Sequence, residues 1–293
     1  MLRNKSSLVL AVAGLITAAI WGYNYFPSQK TLTVTFLDVG EGLCVVARTP
    51  SGKTIVMDCG TSSWRDNESV GDKLVAPYLR SMGVDTIDLA VLSHPHLDHI
   101  SGYANLLRAK PAKMVLDIGV KYKSPPYKRF LGSIKRANTT YRIARRGQIV
   151  DMGDGVAVQI LSPDPGYDYP DLNNNSMVLR IVYKQAAFLL AADAEEDSEQ
   201  HMLNAKSNVQ AAVLQVSHHG SETGSSPEWL SAVKPKIAII SCGRRNKYGH
   251  PSVSVIRRLN SFGAKVYRTD KDGAVTVATD GSTMNVSSVR GRR

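Results

Sequence analysis

Cysteine is scarce in this sequence. There are three, Cys44, Cys59 and Cys242, an odd count with no Cys-x-x-Cys pair, which argues against a disulfide framework. All three border apolar, strand-like runs, so buried free thiols are expected; a single Cys44–Cys59 bridge is the pairing left open. Acid is also short: 25 Asp and Glu stand against 36 Lys and Arg, a formal net charge of +11. A surface with that imbalance attracts polyanions such as nucleic acid, teichoic acid or anionic lipid, although basic balance is common in proteins that merely sit near membranes. Long hydrophobic runs are missing too. The sizeable one, Leu8 to Trp21, has 14 residues, fewer than the about 20 that span a bilayer. No repeat array or low-complexity composition appears.

What is present begins with a targeting pattern. Arg3 and Lys5 precede the run from Leu8 to Trp21, a basic start and apolar stretch that read as a secretory signal. No clean small-residue cleavage site and no lipobox cysteine follow, so a cleaved signal peptide and an uncleaved anchor in the cytoplasmic membrane both stay open. Either form puts the rest of the chain outside the cytoplasm, secreted or membrane-anchored. Residues 1–30 are therefore assigned to signal and linker, 31–281 to one folded domain, and 282–293 to a basic tail. The 293 residues suit one large α/β domain and are short for two.

Along that domain, Thr31–Val39, Leu43–Thr49 and Thr54–Asp58 alternate or run apolar and read as strands around turns at Gly40 and Pro50–Lys53. Helices are expected over 72–82, 100–108, 195–206, 227–233 and 252–262. Further strands are expected at 87–93, 156–163, 177–183, 187–193, 209–216, 236–243, 265–269 and 274–280. Clustered strands followed by strand–helix alternation, repeated in the second half, suit two mixed sheets packed between helices.

Chemistry concentrates in Ser93-His94-Pro95-His96-Leu97-Asp98-His99. Three imidazoles and a carboxylate lie within six residues, directly after a buried strand. Alternation at the strand end lets His94 and His96 point the same way, while Asp98 and His99 turn over the site at the next helix. Imidazole and carboxylate are ligands for Zn²⁺ or Mn²⁺, and the split into two pairs suits two adjacent divalent ions. A chance histidine-rich surface loop is the bland alternative, and four ligand types at this spacing after a strand make it a poor one. No organic-cofactor motif is singled out.

His-x-His-x-Asp-His resembles the signature of the metallo-β-lactamase superfamily. FLDVGEG, PSGKTIVMDCG, SHPHLDHISG, NNNSMVLRI, LLAADAEED, VSHHGS, YGHPS and VYRTDKDGAVTV are similar, in that order, to the extracellular C-terminal domain of ComEC DNA-uptake proteins. The likeness spans roughly residues 31–281 without any polytopic channel, and phosphorylcholine esterases share the motif layout. It implies an αββα sandwich, α/β in class. It also implies His94 and His96 on one metal, Asp98 and His99 on the second, Asp193 bridging, and His250 as the last ligand of the second site. His218 or His219, with Ser221 in the same motif, would meet a bound phosphate, with His218 the proton donor. Asp58 would orient the histidine loop, so Asp98, His218 and Asp58 are the candidate catalytic groups. Simpler readings exist for each: a helix cap for Asp193, a turn for His250, a core group for His219, a strand end for Asp58. Two departures stand out. Asn173-Asn174-Asn175-Ser176 occupies the stretch where many relatives supply a third histidine, and Glu41 with Leu43-Cys44 alters a loop near the site.

Residues 110–146 hold eleven Lys and Arg and one acid, Asp117. Lys128, Arg129, Arg145 and Arg146 are taken as substrate contacts. Tyr122, Tyr127 and Tyr141 are interleaved and could stack on unpaired bases; a solvated helix face is the alternative. The expected function is metal-dependent phosphodiester hydrolysis, with DNA as substrate and partner. A phosphoesterase of a cell-envelope polymer and a non-catalytic, membrane-tethered DNA receptor are the competing readings. β-Lactam hydrolysis is disfavoured by the missing third histidine.

Overall fold

Strand clusters in the sequence become two sheets. The computed structural model describes residues 31–62, 67–166, 169–244 and 246–291; the signal segment read at 1–30 lies outside them. The first sheet runs β15 (Met284–Ser288), β14 (Val275–Thr279), β1 (Leu32–Phe36), β2 (Val45–Arg48), β3 (Thr54–Met57), β4 (Ile87–Val91), β5 (Ala112–Asp117), β6 (Thr140–Ile143). The second runs β13 (Lys265–Arg268), β12 (Ile237–Ile240), β11 (Val213–Gln215), β10 (Ala186–Leu190), β9 (Val178–Tyr183), β8 (Val156–Ser162), β7 (Ile149–Gly153).

Inward side chains of both sheets share one core, among them Phe36, Leu89, Val91, Leu179, Phe188 and Leu190. The outer face of the first sheet is covered by helices 76–81, 103–109 and 125–137 through Leu79, Tyr103, Leu106 and Phe130. The outer face of the second is covered by helices 196–204, 227–233 and 253–261 through Met202, Trp229 and Leu259. Helix, sheet, sheet, helix is the layer order expected, and each apolar face is closed by a neighbour.

Each sheet changes direction once. β1–β3 pair antiparallel and β3–β6 parallel; β8–β10 pair antiparallel and β10–β13 parallel. Sites in mixed α/β sheets gather beyond the carboxyl ends of strands at such reversals. β3 and β10 sit at the two reversals here, and Asp58 and Asp193 follow them.

One boundary moves. β15 pairs with β14 from Thr279↔Met284 to Val275↔Ser288, so the fold runs past residue 281 into the supposed tail. The basic stretch 110–146 is frame rather than appendage. β5 lies between β4 and β6, and helix 125–137 buries Tyr127, Phe130 and Ile134 while its lysines and arginines face out. An amphipathic helix with a basic outer face explains why the stretch looked like a patch. All three cysteines are buried free thiols. Among the described residues no helix is long and apolar enough to cross a membrane.

Candidate metal centre

Side chains of four strand ends converge. Asp58 follows β3, the Ser93–His99 loop follows β4, Asp193 follows β10, and His218 and His219 follow β11. Several of these positions have left-handed backbone: Asp58 at φ 60°, Ala192 at 49°, His218 at 46° and His219 at 54°. Non-glycine residues held there cost roughly 1–3 kcal/mol each, and such strain persists where a site requires it.

Asp58 is fully buried and sets the loop. Its Oδ1 accepts the Ser93 amide at 2.8 Å and its Oδ2 the Ser93 hydroxyl at 2.6 Å. The same Oδ2 meets His99 Nδ1 at 2.8 Å. With Nδ1 donating there, His99 Nε2 faces the other way and lies 3.1 Å from Asp193 Oδ2. This is the carboxylate–histidine arrangement that orients a metal ligand. Truncation by Asp58→Ala leaves both Ser93 donors and His99 Nδ1 without their acceptor. Metal affinity should fall about 10–100-fold, read by competition with a chromogenic chelator; an unchanged affinity would refute this role.

Asp193 Oδ2 is the meeting point. Besides His99 it lies 3.6 Å from His219 Nε2, 3.8 Å from His218 Nε2 and 4.0 Å from His94 Nε2. Ligand atoms of Asp98, His99, Asp193 and His219 all fall within 4.8 Å of one another. His94 Nε2 lies 3.0 Å from His96 Nδ1. Among the described residues, Asp193 Oδ1 has no hydrogen-bond partner, and His99 Nε2 and His219 Nε2 meet carboxylates at 3.1 and 3.4 Å without an aligned hydrogen bond. An unsatisfied buried polar atom costs about 1–3 kcal/mol, so these three atoms at one point ask for a further occupant. Two carboxylates and two imidazoles are a donor set for Zn²⁺ or Mn²⁺, and the residues present fit a divalent ion.

Charges agree with that. Burial alone would lower the His99 pKa, but Asp193 and Asp58 outweigh it and hold it well above the ordinary value. Burial would raise Asp193, yet His99, His219 and His218 pull it well below. Asp98 is likewise drawn down against burial by His219 and His99. Burial, assisted by His99, pushes the His94 pKa well down.

His219, expected beside phosphate, belongs to the cluster. Its Nδ1 donates to the Ser241 carbonyl at 2.8 Å, and its Nε2 lies 3.4 Å from Asp98 Oδ2. His250, expected as the last ligand, is not one of the four clustered residues but is close enough to feel the charges of His218, His219 and Asp193. Its ring is 5.6 Å from that of His218 and stacks at 5.8 Å on Tyr248. His218 is held by a residue that the sequence reading did not name: Glu195 Oε1 accepts from His218 Nδ1 and from Thr223 Oγ1, each at 2.8 Å. Ser221 is buried, its Oγ 3.0 Å from Thr223 Oγ1.

The asparagine stretch is structural. Asn174 Oδ1 accepts the amides of Glu195 and Ser198 at 3.1 Å, capping helix 196–204 from a distant loop. Asp193 makes no such cap, since no side chain at the helix's own start does so. Ser176 Oγ reaches His94 Nδ1 at 3.3 Å. The altered loop at Glu41 does border the site: Glu41 feels the charges of His219 and Asp98, although burial dominates and raises its pKa.

The four expected substrate cations divide. Lys128 is exposed. Arg129 pairs with Glu68, Arg146 with Asp164, and Arg145 donates to the carbonyls of Ile118 and Ala144 at 2.8 and 2.7 Å. Tyr127 and Tyr141 both donate to Asp117 Oδ2, at 2.6 and 2.7 Å.

Residues 37–244 match the metallo-beta-lactamase superfamily. The chain is 29% identical over 252 residues to ComE operon protein 3 of Bacillus subtilis (strain 168), covering 83% of this chain and 32% of that protein. It is 34% identical over 250 residues to Recombination protein 2 of Haemophilus influenzae, covering 85% and 29%. It is 30% identical over 271 residues to Competence protein ComA of Neisseria gonorrhoeae, covering 91% and 34%. The chain thus spans about a third of the length of these relatives. Two solved structures are alike in fold. One is the metallo-beta-lactamase fold protein YhfI from Bacillus subtilis, at TM-score 0.55 and 13% identity, covering 83% of this chain and 98% of that one. The other is Igni18, a metallo hydrolase from Ignicoccus hospitalis, at TM-score 0.53 and 16% identity, covering 84% and 98%.

Proposed function

The chain belongs to the metallo-β-lactamase superfamily, and from that premise and the centre around Asp193 we propose that it is a metal-dependent phosphodiester hydrolase acting on DNA outside the cytoplasm. One observation carries the reading: a buried carboxylate oxygen lies within 4.0 Å of four imidazole nitrogens. In this reading Asp98, His99, His219 and Asp193 would hold one divalent ion, and His94 and His96 would help to hold a second. When bound, such ions neutralise phosphodiester charge and bring the ionisation of water towards neutral pH.

The protein's own residues do the rest. Asp58 holds the His99 ring so that Nε2 faces inward. Ser93 and Ser176 keep His94 Nδ1 occupied and so present its Nε2. Glu195 fixes His218 with a proton on Nδ1, and the carboxylates of Glu195 and Asp193 raise its pKa against burial. His218 Nε2 faces the centre and can hold or give a proton to the departing oxygen of a cleaved ester. DNA is favoured over other phosphodiesters by the net charge of +11 and by the relatives named for competence. Action outside the cytoplasm is supported by the basic-then-apolar start of the chain.

The full-length protein, stripped by chelation and mixed with linear DNA and Mn²⁺ or Zn²⁺, should release nucleotides or fragments. An Asp98→Ala, His99→Ala double variant should not. No cleavage by the wild type, or undiminished cleavage by the double variant, would overturn the proposal. DNA binding without metal or turnover would identify a receptor instead.

A further inference from the structure

Beside the metal centre lies a groove of about 840 Å³ between the 119–125 loop, the start of helix 125–137 and β6. Its walls are apolar and open: Leu131 is 37% exposed, Tyr141 37% and Ile143 47%. Among the described residues, edge strand β6 has no further strand beside it. Apolar surface of this kind at a sheet edge is uncommon unless something covers it.

Three features say what. First, the exposed ring of Tyr141 is fixed, because its hydroxyl donates to the oxygen of buried Asp117 that also accepts from the buried Tyr127. A pinned aromatic face binds a flat partner with little further loss of side-chain freedom. Second, Lys121, Lys123 and Lys128 edge the groove, and among the described residues no carboxylate lies within ion-pair distance of any of them. The occupant is apolar and planar in the groove but anionic along its rim. Third, the groove opens on the centre: the exposed ring of Tyr122, at the mouth, stands 6.5 Å from that of His96, edge to face.

We propose that this groove is a subsite for one unstacked nucleobase adjacent to the phosphodiester at the metal centre. It rests on the phosphodiesterase reading and adds a preference to it. A base can enter only when it has left its stack, so single strands and frayed ends bind and the interior of a duplex does not. Apolar walls take the base by stacking, without reading its edges, while the lysines take flanking phosphates.

The test is binding by the full-length protein, with metal removed by chelation. Fluorescence anisotropy compares labelled oligothymidylate, an abasic strand of equal length and charge, and a blunt duplex. Oligothymidylate should bind about tenfold tighter than the abasic strand, the effect of one stacked base, and more tightly than the duplex. Tyr122→Ala should bring the two single strands within about twofold of each other, whereas Tyr122→Phe keeps the preference. Equal affinity of the wild type for both strands, or an undiminished preference in Tyr122→Ala, would overturn the subsite. Because the readout needs no turnover, the two proposals fail separately. Base preference without DNA hydrolysis sinks the enzymatic reading alone, and hydrolysis without base preference sinks the subsite alone.

Discussion

Asp193→Ala should reduce metal-dependent phosphodiester hydrolysis by at least about 10³-fold, the several kcal/mol that a metal contributes to charge stabilisation. The side chain is 2% exposed, and its Oδ2 is the atom on which His94, His99, His218 and His219 converge. Without it the proposed centre loses a buried anion, and four imidazoles are left to repel one another if charged. Metal content after dialysis, measured by mass spectrometry, should fall from about two per chain to fewer than one. A thermal readout separates this from misfolding. Metal at about 100 times its Kd stabilises a folded protein by ~2.7 kcal/mol, which for a domain of this size raises Tm by roughly 5–10 °C. The wild type should show that rise and Asp193→Ala should not. A variant that retains both metal and activity would remove Asp193 from the centre.

Gly60→Ala should damage both the fold and the centre. A Cβ at Gly60 would lie 2.4 Å from the Asp98 carbonyl carbon and the His99 amide nitrogen. These are backbone atoms, and they cannot swing aside. The Cys59 amide donates to the His99 carbonyl at 2.8 Å and the Leu43 amide to the Asp98 carbonyl at 3.0 Å. The loop is therefore clamped where the methyl would intrude. Overpacking costs about 1–3 kcal/mol where neighbours can adjust and more where they cannot; a loss above about 3 kcal/mol is expected here, together with loss of metal. Gly132 supplies the contrast. It sits in helix 125–137 with nothing within 4 Å of a built Cβ, so Gly132→Ala should stabilise by ~0.5–1 kcal/mol. Urea midpoints of the two variants test the pair, and equal midpoints would show that the close approach at Gly60 is not tight.

The layer order and the histidine loop were legible in the sequence because both depend on local pattern. Apolar alternation marks a strand wherever it occurs, and His94 to His99 are close enough in sequence that a strand end and one helical turn bring them together. Asp193 was legible for the same reason, at the end of an apolar strand. Which of two adjacent histidines enters the cluster was not. His218 and His219 both take left-handed backbone, and no alternation rule carries through such a turn, so His219 faces Asp98 while His218 faces Glu195. Nor was it legible which cations of the basic stretch are already paired. Charge counts record what is present but not what is already paired, and Arg129, Arg145 and Arg146 are tied to partners elsewhere in the chain.

By itself, then, the order of residues determined a histidine-rich candidate metal loop on an αββα frame, since period and spacing are properties of neighbours. Only the tertiary structure decided how the centre is completed. His99 takes its orientation from Asp58, 41 residues away, and His94 is contacted by Ser176, 82 residues away. The groove beside His96 is walled by a loop, a helix and an edge strand that meet only on folding, and contacts of that span leave no periodicity in the chain.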